Sequence, residues 1–167
     1  MIHEIATLLE PWKTRYADST AISSSVTGAH ILALLMSGGM AIAADRTTLR
    51  ALKATPENRR VLVGELRFVH RPVIIGFAFL FASGLLLMAS DFETYARSKL
   101  FWAKMVLIAG LLANGAVLYL ADRRLHEAGS EAEPPLTLWR RLRASTWISL
   151  CLWITITIAG AILPATA

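Results

Sequence analysis

Four stretches of this chain carry no charged side chain, and each is long enough to cross a lipid bilayer. The first lies between Asp18 and Asp45 and centres on HILALLMSGGMAIAA. The second, PVIIGFAFLFASGLLLMAS, lies between Arg71 and Asp91. The third follows Lys104 as MVLIAGLLANGAVLYLA up to Asp122, and the fourth follows Arg143 as ASTWISLCLWITITIAGAILPATA. A helix needs about 20 apolar residues to span the hydrocarbon core, where every backbone N–H and C=O has to be satisfied within the protein. Helices bathed in water pair an apolar stripe with a polar face, whereas these four are apolar on all sides. The sequence therefore predicts an all-α fold, a four-span transmembrane helix bundle, with spans at about 21–44, 68–90, 100–121 and 144–165.

Composition supports this and narrows the function. Of 167 residues, 55% are apolar and 17% charged, below the roughly 25% charge of an ordinary globular domain. A single cysteine, Cys151, excludes a disulfide framework and a multi-cysteine zinc site. The first apolar run lacks a basic segment before it and is too long for a signal-peptide core, so it is expected to stay in the protein. The net charge of +5 calls for no nucleic acid, because cationic connectors ordinarily face anionic lipid. Arg46, Arg50, Lys53, Arg59, Arg60, Arg67 and Arg71 fall between spans one and two, and Arg123, Arg124, Arg140, Arg141 and Arg143 between spans three and four. The other side holds Lys13, Arg15, Arg97, Lys99 and Lys104. This asymmetry predicts that both termini face away from the cytoplasm.

Residues 1–20 read as an interfacial amphipathic segment and 21–167 as the transmembrane domain. Ile2, Ile5, Leu8, Leu9, Trp12 and Tyr16 fall near one helical face, with Pro11 expected to break the helix. Tyr95 and Trp102 on one side, and Trp139 and Trp147 on the other, suit aromatic belts at the two interfaces. RTTLRALKA continues the first helix past Asp45 until Pro56. From Glu57 the spacing of Val61, Leu62, Leu66, Val69 and Val73 predicts a helix running straight into the second span, early enough to absorb Pro72. HEAGSEAEPPLTL reads as a flexible connector.

His30 is the most informative side chain. It lies about 15 Å inside the first span, and an ionisable group at such a depth is a functional-site hypothesis. Neutral imidazole ligates metals and haem iron, but it can equally serve as a hydrogen-bonding link to a Ser, Thr or Asn of another helix, or handle protons. His70, at the start of span two, is the second candidate ligand. Antiparallel spans place it about 20 Å from His30 in depth, which excludes one haem bridging the pair within a protomer. Three arrangements stay open: His30 with Met105, His30 from two subunits, and His70 with His126. Gly84, at the depth of His30, could leave a slot for a flat ring, alongside Ser83. Ser37, Gly38, Gly39, Gly110 and Gly115 are small residues that allow close helix approach. Asn114 is expected to hydrogen-bond a neighbouring helix, Lys104 to snorkel to the outer interface, and Asp45 to sit at the inner boundary beside Arg46. Phosphate loops, CxxCH, HExxH and buried carboxylate pairs are absent.

The chain resembles a group of small four-helix bacterial membrane proteins without assigned chemistry. The resemblance covers all four spans, through His30 followed by SGGMAIAADRTTLR, then HRPVIIGFAFLFASGLLLMASDFETY, FWAKMVLIAGLLANG and SLCLWITITIAG. FWAKM and LLANG are also similar to the transmembrane part of copper-resistance D proteins. The group implies an inner-membrane bundle and brings no catalytic residue with it. The leading expectation is a redox-type protein binding haem b or a transition metal such as copper, with quinone as a candidate electron partner. It stands beside two others: a structural or accessory subunit (or homo-oligomer) packing into a larger membrane complex, and copper or small-solute passage. An enzyme is not expected.

Overall fold

The computed structural model describes residues 2–55, 58, 61, 62, 64, 68–127 and 136–166. Six helices account for most of them: α1 (Ile2–Asp18), α2 (Thr20–Ala51), α3 (His70–Ser90), α4 (Phe92–Arg97), α5 (Lys99–Glu127) and α6 (Leu136–Thr166). No strand occurs among the described residues. Four of the helices, α2, α3, α5 and α6, are long and apolar enough to cross a membrane. The protein is an all-α, four-span membrane bundle.

Each helix starts or stops for a local reason. Ser19 caps α2, its hydroxyl accepting from the Ile22 N–H at 3.3 Å. At 32 residues, α2 extends about 48 Å and overshoots the bilayer core at its C-terminal end. The helix expected to run from Glu57 into the second span does not do so: Phe68 and Val69 form a turn, and α3 begins at His70. Pro72 then falls in the first turn, where its missing N–H costs no intrahelical bond. The expected connector around HEAGSEAEPPLTL falls largely on residues 128–135, outside the described residues.

α1 corrects a second expectation. Pro11 lies inside a continuous 17-residue helix and does not break it. Contacts on both sides of the proline hold the helix in place. His3 Nδ1 lies 3.3 Å from the Glu93 carboxylate, and the Trp12 indole donates to the Leu86 carbonyl at 2.9 Å. Tyr16 is 3.2 Å from the Thr27 hydroxyl. α1 therefore packs on the outer ends of α2 and α3. The short helix α4, unforeseen in the sequence, bridges α3 to α5. Within it, burial first, then the Asp91 carboxylate and Tyr16, raise the Tyr95 phenol above its usual pKa, so it stays neutral at ordinary pH.

The long helices are neighbours in the order α3, α2, α6, α5. α2 and α3 approach so closely that a Cβ on Gly76 would lie 2.9 Å from the Ser37 Cβ. Close approach through small residues is the usual means of packing in lipid, where the hydrophobic effect cannot pull helices together. α2 meets α6 where Gly38 lies under the Trp153 ring, 3.3 Å from the position a Cβ would take. Trp153, Leu111 and Ile156 form the buried core, with Leu34, Phe77, Leu80, Leu107 and Ile108 packed around them. Comparable backbone approach between α3 and α5 is missing among the described residues. Ile31, Leu35, Ile74, Phe79, Val106, Ile154 and Ile158 are all more than half exposed, on faces suited to lipid.

Candidate intramembrane polar site

His30 lies ten residues into α2 and is half-buried, its ring directed at α3. His30 Nδ1 and Ser83 Oγ are 2.9 Å apart. The Ser83 hydroxyl has one hydrogen, and it lies 2.8 Å from the Phe79 carbonyl and 3.1 Å from the Leu80 carbonyl of its own helix. Carbonyls only accept. When the hydroxyl hydrogen goes to a carbonyl, Ser83 Oγ accepts from His30 and Nδ1 carries the ring proton; when it goes to Nδ1, the ring proton sits on Nε2. A neutral imidazole protonated at Nδ1 keeps a lone pair on Nε2. No described residue hydrogen-bonds Nε2.

Gly84 is next to this bond, but not as the sequence suggested. A Cβ there would fall 3.3 Å from His30 Cε1. The space left by the missing side chain holds the imidazole itself, so a slot for a separate flat ring does not open at Gly84. Lys104 also departs from expectation. It does not snorkel outward: its Nζ rests over Gly160 of α6, 3.1 Å from where a Cβ would be. It makes no ion pair among the described residues. The bare Gly160 backbone offers the ammonium a resting place that the sequence around Lys104 gives no hint of.

These groups share one level of the bundle. His30 is ten residues from Thr20, Gly84 six from Ser90, Lys104 five from Lys99 and Gly160 six from Thr166. Each is thus about 8–15 Å from the outer end of its helix. All four helices contribute. No family model, curated protein or solved structure matches the chain.

A second polar level lies toward the other end. Asp45 is buried at 5% exposure between α2 and α6. The Ser149 side chain of α6 lies beside its carboxyl group, while Oδ2 has no hydrogen-bond partner among the described residues. Arg46 beside it is exposed and forms no pair with it. Asn114 meets the expectation of an interhelical bond: its amide donates to the Ser145 carbonyl at 2.9 Å, and the Ser145 hydroxyl donates to Asn114 Oδ1 at 2.6 Å.

His70 does not share the level of His30. His70 opens α3 and is thirteen residues from Ser83, about 20 Å along the helix. Its side chain, like that of His126, lies outside the described residues. Met105 is half-buried on α5, one residue beyond Lys104. Among the described residues no three His, Cys, Asp or Glu side chains gather in a metal-binding group. Ser83, already matched in depth to His30 by the sequence, becomes the key partner; Ser149 and Gly160 carried no sequence signal at all.

Proposed function

We propose that this chain is a small inner-membrane redox-type protein whose His30 supplies an axial ligand to haem b. The supporting observation is the Ser83 bond, which holds the ring through Nδ1 and, in the tautomer protonated at Nδ1, leaves a lone pair on Nε2. An outer partner that orients a ligating histidine is a general feature of metal and haem sites. His30 would hold the iron, with Met105 or His30 of a second copy as the other ligand, and Lys104 would balance negative charge on the cofactor. When bound, haem supplies one-electron transfer, with membrane quinone as the proposed exchange partner. The basic connectors support an orientation with both termini periplasmic, which a periplasm-dependent reporter fused after Ala167 would test.

The test of the haem reading is an oxidised and dithionite-reduced absorption spectrum of detergent-purified protein from haem-replete cells. We expect a Soret band that is lost in His30→Ala and kept, with weaker haem retention, in Ser83→Ala. A colourless preparation overturns this reading. It would favour the second one, an accessory subunit in which the His30–Ser83 bond is itself the function, joining two helices. That bond is complete without any cofactor, which is why this reading stands beside the first.

A further inference from the structure

At the end of the bundle away from the termini, α2 and α6 enclose a half-open groove of about 270 Å³, lined by Leu49, Arg50, Leu52, Lys53, Arg143 and Trp147. Three cations share it, Arg50 from α2, Lys53 from the turn that follows α2 and Arg143 from α6. None of them forms an ion pair among the described residues. The sole acid on α2 and α6 is Asp45; it is buried one turn deeper and lies beside Ser149. Like charges brought together raise each other's energy, so the groove favours an anion.

The lining also says what else the anion must carry. Trp147 is one turn farther along α6 than Arg143, and 54% of it remains exposed. With Leu49 and Leu52 it gives the groove an apolar wall beneath the cationic rim. Indole rings favour the headgroup–acyl boundary of a bilayer, and basic pockets between transmembrane helices are suited to phosphorylated headgroups. We propose that this groove binds the phosphate ester of an anionic phospholipid, with Arg50, Lys53 and Arg143 on the phosphate and Trp147 against the glycerol and upper acyl chain. Free phosphate satisfies the rim but leaves the apolar wall unused. The proposal is independent of any cofactor at His30.

Native mass spectrometry of the full-length, delipidated protein tests it, with cardiolipin, phosphatidylcholine and glycerol 3-phosphate as probes. Cardiolipin should be retained over phosphatidylcholine, and Arg50→Gln/Lys53→Gln/Arg143→Gln should lower cardiolipin binding about 100-fold. The replaced side chains of all three are exposed, so the fold is expected to persist, which circular dichroism checks. Arg15→Gln/Arg97→Gln/Lys99→Gln removes the same charge at the opposite end and should leave binding unchanged. Trp147→Ala should weaken cardiolipin and not glycerol 3-phosphate. Equal retention of both lipids, equal losses in the two triple variants, or glycerol 3-phosphate binding as tightly as cardiolipin would each overturn the lipid site.

Discussion

The direction of the His30–Ser83 hydrogen bond fixes what the imidazole can offer its surroundings. Ser83→Ala removes the hydrogen-bond partner at 2.9 Å. The stability cost should be small, about 0.6 kcal/mol, the average for interhelical hydrogen bonds in a bilayer. Denaturant titration in detergent measures it, and a cost several times larger would mean that the ring is held by more than this bond. Glycines give a sharper contrast. Gly76→Ala places a Cβ 2.9 Å from the Ser37 Cβ and 3.4 Å from Ser37 backbone atoms. A side chain as short as Ser37 cannot swing away, so the helices must part, at a cost of about 1–3 kcal/mol. Gly110→Ala meets nothing within 4 Å and should leave stability unchanged or raise it. Equal effects of the two alanines would refute the close α2–α3 packing.

At the scale of helices, the pair α5 and α6 is fastened by Asn114 and Ser145 at 2.9 and 2.6 Å. Asn114→Leu should cost about 1 kcal/mol. Adding Ser145→Ala should cost little more, since the two changes remove one shared interaction; fully additive losses would show that the residues act separately. The spans themselves were readable because charge exclusion from hydrocarbon is a property of single residues, visible along the chain. The continuity of α1 was not. Pro11 signals a break by its own chemistry, yet bonds from His3 to Glu93 and from Trp12 to Leu86 hold both halves in line, and those partners lie more than seventy residues away. Depth could be counted from the sequence, which is how Ser83 was matched to His30. Azimuth around each helix could not, so the inward turn of Lys104 onto Gly160 and the seating of Asp45 against Ser149 had no local signature.

For the molecule as a whole, Trp153 is the central strut. It is 4% exposed, lies over Gly38, and shares a cluster with Phe77 and Leu80 of α3 and Leu107 and Ile108 of α5. Trp153→Ala should destabilise the bundle by about 3 kcal/mol or more, read as a lowered detergent unfolding midpoint. A loss under about 1 kcal/mol would show that this ring is not a keystone. Its position has a mechanical consequence. Where α2 meets α3, the backbone at Gly76 lies against the short Ser37 side chain and little can yield; α3 and α5 have no comparable backbone approach among the described residues. Squeezed by a stiffer or thicker bilayer, the bundle should give along one flank and hold along the other, so its compliance is directional.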